Sequence, residues 1–506
     1  DVLLIEKSGL THGSTWHAVG MVGQLRAHKN YTYMNTLSAE LYARIGAESG
    51  LDPGWKQTGS LRIASSAARL DEIRRQVTLA KGFGFEAYLI GPNEIKAKCP
   101  IVSLDGIVGA AYVPADGVAD PSSLTLAIAK AARQQGVRMV EGVLVTGFRR
   151  DRRRLTHVET DDGTIRAETI VNAAGIWARN VGKLMGACVP AGAVHHQYLV
   201  TETIPDLLST LGFRDPDNEH YCQPQPGDML AVGGFEPASP PFDPPFDFGR
   251  ELFAGDIDRL EPIVKGALKR IPALETAGVR TLVNGPIPMS ADGSPVMGRA
   301  PELDNVFVAT GFTSGISSGG GAGRLMADWI IAGEPPVDLW PLDIRRFGPQ
   351  HASATFLDER MREVNSSYYP MRAHDAEMAS GRPMRVSPLY PLLKAGGAVF
   401  GSKFGWERPN YFAANGADVT GRVRAEHQAA RSSAILIDQS SFAKLEVSGP
   451  GALAALQRLA VNELDRPVGA IVYTQLCNGR GGIEADLTIT RLADDRFYIV
   501  TGTGFA

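Results

Sequence analysis

Cysteine is scarce in this chain, which has four among 506 residues: Cys99, Cys188, Cys222 and Cys477. They lie far apart, and the sequence contains no C-x-x-C pair of the kind found at zinc and redox sites. We therefore expect neither a metal site nor a disulfide framework. So few cysteines are typical of proteins from a reducing compartment.

Long apolar runs and a strong charge of either sign are also missing. No run of about 18 apolar residues occurs, so we expect no transmembrane span. The formal net charge is −4, and without a basic excess nothing favours nucleic acid or an anionic membrane as a partner. A hydrophobic content of 44% with 21% charged residues is typical of a soluble globular protein, and 506 residues suffice for about three domains.

The sequence also lacks the turn with which a dinucleotide-binding unit opens. Such a unit begins with a strand and a G-x-G-x-x-G turn that seats the pyrophosphate. Asp1 instead lies within what reads as the second strand of the unit. At the other end, residues 498–506 stop just after a strand-like run. We expect the sequence to be a piece of a longer chain.

The stretch that organises the rest is Gly13-Ser-Thr-Trp-His-Ala-Val-Gly20. It follows the apolar run 2–5, which predicts a buried parallel strand. Glu6, at the end of that strand, is placed to accept hydrogen bonds from a ribose. Small residues in the loop allow backbone N–H groups to approach a phosphate or a ring system. On the loop alone, a His17 held by local hydrogen bonds is the simpler interpretation.

Glu6-Lys7 followed by Gly-Ser-Thr-Trp-His-Ala resembles the flavin-binding start of the sarcosine and dimethylglycine dehydrogenases. The resemblance continues through Gly54-Trp-Lys-Gln57, Asp343-Ile-Arg-Arg-Phe347 and Gly405-Trp-Glu-Arg-Pro409. In that family the motif histidine is joined covalently to FAD, which implies that His17 carries the flavin here. The resemblance also implies oxidation of an N-methyl group on a small amino acid, sarcosine or dimethylglycine, by hydride transfer to FAD.

Other segments match parts of the family that contact FAD. Val145 corresponds to the position that flanks the adenine, and the strands 170–172 and 306–310 each run into a glycine-containing motif. A glycine loop at 319–323 before a helix at 324–331 would aim a helix N-terminus at the cofactor. The residues that we expect to bind FAD are Glu6, Lys7, Gly13, Ser14, Thr15, Trp16, His17, Ala18, Gly20, Val145, Ala174, Gly175, Trp177, Gly311, Phe312, Gly315 and Ile316.

The predicted strand 195–202 begins with two histidines. Adjacent strand residues face opposite sides of a sheet, so only one of them can face the flavin. The resemblance gives that place to His196, which would accept the proton of the substrate amine, and leaves His195 to packing or a backbone hydrogen bond. Tyr221 is the second catalytic candidate. The relatives have a Tyr-x-Arg pattern here, but the aligned pattern in this chain begins one residue later, at Cys222.

Hydrophobic periodicity and capping residues predict helices at 31–49, 66–82 and 122–135. Five arginines within 149–154 predict the solvated tip of a hairpin, whose second strand would run on to 170–172. Residues 284–298 are rich in glycine and proline and read as a loop.

The predicted fold class is α/β and α+β. We expect a Rossmann-like FAD-binding domain with an inserted antiparallel-sheet substrate domain at 1–336, a short connecting domain at 337–392, and the N-terminal part of an aminomethyltransferase-like folate-binding domain at 393–506. The family resemblance of 472–487 implies that tetrahydrofolate takes up the one-carbon unit.

The resemblance further implies an electron-transfer flavoprotein as electron acceptor. It implies a cytoplasmic location in a bacterium or the mitochondrial matrix in a eukaryote. Two alternatives stay open from the sequence. One is a folate-dependent aminomethyl-transfer or binding protein with an inactive flavin domain, and the other is an oxidase that uses O2 directly.

Overall fold

The computed structural model of the chain describes residues 1–205, 207, 210–372, 376–413 and 418–505. It contains two compact units, Asp1–Gly381 and Arg382–Ala506. This division falls between the two predicted domain boundaries, which lie after residues 336 and 392. Those two boundaries stay predictions.

The strands of the first unit are β1 (Leu3–Glu6), β2 (Met21–Val22), β3 (Ser60–Ala64), β4 (Tyr88–Ile90), β5 (Gly109–Val113), β6 (Gly117–Val118), β7 (Arg138–Glu141), β8 (Val145–Asp151), β9 (Arg154–Thr160), β10 (Gly163–Arg166), β11 (Ile170–Asn172), β12 (Ala191–Thr201), β13 (Gly212–Asp215), β14 (His220–Gln225), β15 (Met229–Gly233), β16 (Pro241–Phe242), β17 (Val279–Ser290), β18 (Val296–Arg299) and β19 (Val306–Thr310). Its α-helices are α1 (Lys29–Ser49), α2 (Ala67–Phe83), α3 (Pro92–Lys98), α4 (Pro121–Gln134), α5 (Ala178–Met185), α6 (Ile257–Arg270), α7 (Gly315–Ala332) and α8 (Ala354–Ser366).

Parallel pairing builds the part of the first unit that resembles a dinucleotide-binding fold. β1 pairs with β7, and β11 pairs with β19, both in parallel. The three helices predicted from periodicity are confirmed within two residues at each end, as α1, α2 and α4. Asp120 caps α4 by accepting a hydrogen bond from the backbone N–H of Ser123 at 2.6 Å, which explains why the helix begins there.

The largest sheet of the unit has the strand order β16-β12-β15-β14-β13-β3-β5-β4, and β17 pairs along the length of β12. One of its faces packs on α6, where Leu260 and Ile263 join a core that includes Phe213, Cys222 and Val232. The alternating residues of the same strands point to the opposite face. That second face carries the candidate site.

Residues 284–298 are mostly strand, contrary to the prediction of a loop-rich stretch. They contain the second half of β17, whose residues pair with β12 from Val279 to Ser290. Pro286 lies opposite His195, whose own N–H donates to Pro240 on the other side of β12. The missing N–H of Pro286 therefore points away from β12, and Pro288, two residues on, has the same orientation. The long strand tolerates both prolines for this reason.

The predicted glycine loop at 319–323 is also wrong, because α7 begins at Gly315 and contains the whole run. The glycines serve close helix packing instead. A Cβ on Gly321 would lie 1.8 Å from the backbone oxygen of Met34 on α1. Only a residue without a side chain allows the two helices to approach this closely.

Two smaller predictions near the N-terminal strands also need correction. β1 is parallel but not buried, since Leu4 is 38% exposed and β7 is its one partner in the described residues. The arginine-rich segment is indeed the turn between β8 and β9. However, β9 ends at Thr160 and continues through a turn into β10, while β11 belongs to the sheet of β19. The hairpin strand therefore does not run on to 170–172.

The second unit contains β20 (Ala398–Lys403), β21 (Trp406–Phe412), β22 (Ala443–Ser448), β23 (Ile471–Cys477), β24 (Ile483–Ala493), β25 (Arg496–Thr501), α9 (Tyr390–Ala395), α10 (Val419–Ser432) and α11 (Ala452–Leu459). An antiparallel sheet with the order β22-β25-β24-β23 packs Ile489 and Phe497 against Leu456 of α11. In the part of the chain that the structure describes, no helix combines the length and apolar character needed to cross a membrane.

Candidate active site

The loop between β1 and β2 holds His17 against the large sheet. Tyr198 of β12 donates a hydrogen bond from its hydroxyl to the backbone oxygen of His17 at 2.9 Å, and Ser14 donates to the backbone oxygen of Pro286 at 2.5 Å. His17 is 6% exposed. Burial lowers its pKa from 6.5 to about 4, so the imidazole is neutral at physiological pH.

Three ring nitrogens of this loop are buried without a hydrogen-bond partner among the described residues: Nδ1 of His12, Nε1 of Trp16 and Nε2 of His17. Such groups are rare in folded proteins, because leaving them unpaired costs free energy. Gly285 of β17 makes room for the imidazole, since a Cβ there would lie 2.7 Å from Nε2 of His17. The loop therefore fits a further group that meets these nitrogens, as FAD would.

His196 lies on the same face of the sheet, directly across from Gly285 in the β12–β17 pair. Its Nε2 is 3.2 Å from the hydroxyl oxygen of Tyr221 on β14. Burial lowers the pKa of His196 to about 4, and repulsion from a protonated His17 and from Arg259 adds smaller contributions. Burial also raises the pKa of Tyr221 well above its usual value. The pair is thus neutral and shares one hydrogen bond.

His195 points to the other face, as the alternation predicts. Its ring stacks on Phe253 with centroids 3.7 Å apart, and its backbone N–H donates to the backbone oxygen of Pro240. Burial lowers its pKa to about 4, with Arg259 as a second cause. It lines a cavity of about 650 Å³ that also contacts Asn284 and does not include His196.

Glu236 approaches His196 from the segment after β15, and the sequence did not point to it. Its Oε2 lies 3.8 Å from Nδ1 of His196, and its Oε1 lies 3.3 Å from Nη2 of Arg259. The hydroxyl of Ser239 donates to the same carboxylate at 3.2 Å. Burial raises the pKa of Glu236 in spite of these partners. The glutamate is therefore a buried acid beside the imidazole.

Aromatic residues pack beside His196, two of them from a segment for which we predicted no role in the site. Phe235 stacks on Tyr368 with centroids 3.7 Å apart, and it lies 5.1 Å from the ring of His196. Tyr369 meets Phe235 edge-on at 5.6 Å. Both tyrosines follow α8 within the predicted connecting domain, so this segment contributes directly to the site.

The predicted FAD residues nearest β1 form one group. Nζ of Lys7 donates to the backbone oxygen of Phe248 at 2.5 Å and lies 4.2 Å from the centre of the Trp177 ring. A Cβ on Gly13, which has a φ of +73°, would lie 3.0 Å from Trp177. Glu6 accepts a hydrogen bond from the N–H of Ser8 at 3.0 Å.

The other predicted FAD residues make contacts elsewhere in the first unit. Thr310 donates to the backbone oxygen of Gly175 at 2.9 Å, which joins the 174–177 turn to Gly311. Tyr42 donates to the backbone oxygen of Ile316 near the start of α7 at 2.8 Å. Val145 packs in the same apolar cluster as Ile5 of β1. The remaining predicted residues lie within the segments already described: Thr15, Ala18, Gly20, Ala174, Phe312 and Gly315. Their roles in FAD binding stay predictions.

Comparison with known proteins adds independent findings. Residues 1–329 match the model of the family described as FAD dependent oxidoreductase, residues 332–387 match the FAD dependent oxidoreductase central domain, and residues 389–506 match the GCVT N-terminal domain. Human mitochondrial sarcosine dehydrogenase is 36% identical over 97% of this chain and 58% of its own length. Rat mitochondrial dimethylglycine dehydrogenase is 35% identical over 100% of this chain and 61% of its own length. The chain thus spans about three fifths of these relatives.

The fold is also found in solved structures. L-proline dehydrogenase from P. horikoshii superposes with a TM-score of 0.62 at 24% identity, covering 69% of this chain and 90% of that structure. This likeness concerns the fold alone. Together with the family matches, it confirms the predicted fold class.

Proposed function

Because the chain belongs to the FAD dependent oxidoreductase family, we propose that it oxidises the N-methyl group of a small amino acid, sarcosine or dimethylglycine, with FAD as cofactor. The similarity to sarcosine and dimethylglycine dehydrogenases supports this substrate class. The observation that carries the proposal is the hydrogen-bonded pair of His196 and Tyr221, which lies on the same face of the sheet as the His17 loop.

FAD, when bound, supplies the two-electron chemistry by accepting a hydride from the N-methyl carbon of the substrate. The protein residues prepare the substrate. Hydride can leave only when the amine nitrogen is unprotonated, since its lone pair forms the C=N bond of the iminium product. His196 is neutral and lies on the same face of the large sheet as the His17 loop, where it can receive the proton of the substrate ammonium group. Tyr221 fixes the imidazole by holding its Nε2.

Glu236 favours that proton transfer. An imidazolium at His196 would be costly in this buried place without a counter-charge. Moving the carboxylate across the 3.8 Å gap to Nδ1 of His196 would supply one. The ring of Phe235 packs beside these groups, 5.1 Å from the ring of His196.

We further infer that His17 carries the flavin through its Nε2. This nitrogen is neutral, buried and unpaired among the described residues, as a nitrogen that bonds to a ring substituent must be. His17→Ala in the full-length chain should give a protein that loses its yellow colour on acid precipitation, whereas the wild type keeps it. Acid-stable flavin in the variant would assign the link to another residue.

The second unit supports a folate step. Its match to the GCVT N-terminal domain favours tetrahydrofolate as the acceptor of the one-carbon unit. The product would then be methylene-tetrahydrofolate, and release of all the oxidised carbon as formaldehyde in the presence of folate would count against it. A folate protein with an inactive flavin domain is less well supported, since His17, His196 and Tyr221 are all present and brought together.

The electron acceptor is the remaining part of the proposal. We favour an electron-transfer flavoprotein, in the mitochondrial matrix of a eukaryote or the cytoplasm of a bacterium. The test is anaerobic mixing of the full-length holoenzyme with sarcosine or dimethylglycine. Bleaching of the visible flavin absorbance by either compound supports the function, and no bleaching by both overturns it. Reoxidation by O2 as fast as by an electron-transfer flavoprotein would instead support the oxidase alternative.

A further inference from the structure

A gap in the large sheet lies beside His196. On the edge of β12 that faces away from β17, residues 198–200 pair with β15, and residues 193–194 pair with β16. Residues 234–240 connect β15 to β16 and are not part of a strand. Residues 195–197 of β12 therefore border this connecting segment rather than a neighbouring strand. At this place a side chain from the helix behind the sheet can reach the site.

The helix behind the gap is α6, and its first turn is fixed to β12. Gln197 follows His196 on the strand and points to the opposite face, towards α6. Its side chain donates to the backbone oxygen of Asp256 at 2.8 Å and accepts the backbone N–H of Asp256 at 3.1 Å. The carboxylate of Asp256 in turn accepts the backbone N–H of Arg259 at 3.1 Å. These bonds hold the backbone of Arg259 in place beside the gap.

The side chain of Arg259 reaches Glu236 in the connecting segment. The arginine side chain is 10% exposed, and the glutamate is completely buried. Nε of Arg259 donates to Oε1 of Glu236 at 3.3 Å, and Nη2 lies 3.3 Å from the same oxygen. The other oxygen, Oε2, accepts the hydroxyl of Ser239 at 3.2 Å and lies 3.8 Å from Nδ1 of His196. The guanidinium group thus holds one carboxylate oxygen and leaves the other facing the imidazole.

The contact between Glu236 and His196 is not yet a hydrogen bond, since 3.8 Å is too long for one. Nδ1 of His196 is buried and has no hydrogen-bond partner among the described residues. An unpaired buried nitrogen is costly, and more so when the ring carries a charge. A small movement of the carboxylate would pair this nitrogen when the imidazole is protonated.

Arg259 also acts on the charges of its neighbours. Burial raises the pKa of Glu236, and Arg259 is the largest of the influences that lower it. The other titratable groups near this carboxylate are His196 on β12 and Tyr221 on β14. Burial lowers the pKa of His196, and Arg259 adds to that effect. One guanidinium group therefore favours a charged carboxylate and a neutral imidazole, which is the state needed before the substrate gives up its proton.

We propose that Arg259 is a positioning residue for the proton transfer at His196: it holds the Glu236 carboxylate in its charged form, with one oxygen turned towards Nδ1 of the imidazole. This inference rests on the proposed function, in which His196 receives the proton of the substrate ammonium group. In that step the N–H bond of the ammonium group breaks and its electron pair stays on the amine nitrogen. The proton bonds to the lone pair of the imidazole, and the charged ring attracts the carboxylate.

The first test needs no substrate. Arg259→Met removes the charge but keeps an unbranched side chain. In the full-length holoenzyme, infrared difference spectra across pH should follow the C=O stretch of the protonated Glu236 carboxyl, identified by its absence in Glu236→Gln. Arg259→Met should move this titration to higher pH by about one pH unit or more, as expected for removing an opposite charge at this distance. Arg259→Lys should move it less.

The second test uses anaerobic stopped flow with sarcosine or dimethylglycine. Arg259→Met should move the acid limb of the limiting rate of flavin reduction to higher pH by a similar amount. The rate should then fall about tenfold on that limb and recover at higher pH, where Glu236 ionises again. In a Glu236→Gln background the same substitution should no longer slow the reaction, because Arg259 acts through the carboxylate. Lys265→Met is the matched control, since it removes an exposed cation of α6 that pairs with Glu261.

An unchanged Glu236 titration in Arg259→Met, or an equal slowing in the Glu236→Gln background, would overturn the proposal. If Arg259→Met does not fold, Arg259→Gln decides the question by the same measurements, because it keeps a hydrogen-bond donor without the charge. If neither compound reduces the wild-type flavin, the proposed function is overturned. A Glu236 titration that still moves in Arg259→Met would in that case leave the hold of Arg259 on the carboxylate standing.

Discussion

Gly285 lies against the imidazole of His17, and a Cβ at position 285 would come within 2.7 Å of the Nε2 atom. The same glycine pairs with His196 across β12 and β17. One position without a side chain therefore allows the proposed flavin-carrying histidine and the proposed base to lie on one face of the sheet.

Gly285→Ala should displace His17 and reduce the covalent flavin content of the full-length protein. The contact is too short for a neighbour to absorb, and overpacking of this kind costs about 1–3 kcal/mol. Acid-stable flavin absorbance per protein is the measurement. Gly323→Ala is the matched control, because nothing lies within 4 Å of a Cβ there. Equal flavin content in the two variants would show that Gly285 does not determine the position of His17.

Gly321→Ala should destabilise the first unit by about 1–3 kcal/mol or more, because the new methyl group would collide with the backbone of α1 rather than with a movable side chain. Gly323→Ala in the same helix should be neutral or stabilising by up to about 1 kcal/mol, since alanine favours helix over glycine. Urea unfolding followed by circular dichroism gives both values. A Gly321→Ala protein as stable as Gly323→Ala would contradict the packing role of the glycine run.

Local sequence signals predicted some elements well and others badly, and the glycine run illustrates why. His195 and His196 were assigned to opposite faces correctly, because alternation is a property of one strand. The segment 319–323 and the second half of β17 are both predicted as loops, because glycine and proline are turn signals in isolation. Pairing with α1 and with β12 outweighs those signals.

The pairing of Arg62 with Arg214 on neighbouring strands is not predicted, for a related reason. Arg62 and Arg214 are 152 positions apart, and the parallel pairing of β3 with β13 brings them together. No local pattern reports such a register. Glu236 and Tyr368 are not predicted for the same reason. Glu236 lies beside His196, and Tyr368 stacks on Phe235, only because distant segments pack together. The family resemblance points to His17 and His196 because it rests on sequence motifs, which can be read without knowledge of contacts, and their roles stay predictions.

Stability should depend on pH through His196. Burial lowers its pKa from 6.5 to about 4 in the folded chain. Above pH 6.5 the imidazole is neutral in both the folded and the unfolded chain, so His196 does not reduce the stability. As the pH falls from 6.5 towards 4, the unfolded chain binds a proton that the folded chain does not, and the free energy of unfolding decreases. This decrease is about 3 kcal/mol at most. His196→Gln should therefore lose less stability than the wild type between neutral pH and about pH 5. Parallel pH slopes in urea unfolding would show that His196 does not contribute.

Glu236→Gln should slow flavin reduction by the N-methyl substrate, because the buried carboxylate could no longer balance an imidazolium at His196. The shape of the side chain and its contact with Ser239 are kept, so substrate affinity should change little. The measurement is the limiting rate of reduction in anaerobic stopped flow as a function of pH. A variant that loses affinity but keeps the wild-type limiting rate and pH profile would assign Glu236 to structure alone.

His196→Ala should slow flavin reduction by roughly two to four orders of magnitude, the usual contribution of a general base. The flavin spectrum and the covalent link should stay intact, because His17 is held by Tyr198 and Gly285 rather than by His196. His195→Ala should affect the chemistry much less, since that ring stacks on Phe253 at the opposite face. Anaerobic stopped flow across pH compares the two variants. A fall in substrate affinity with an unchanged limiting rate would mean that His196 only shapes the pocket. Equal rate losses at both positions would remove the reason for choosing His196, because only one of two adjacent strand residues can face the reacting atoms.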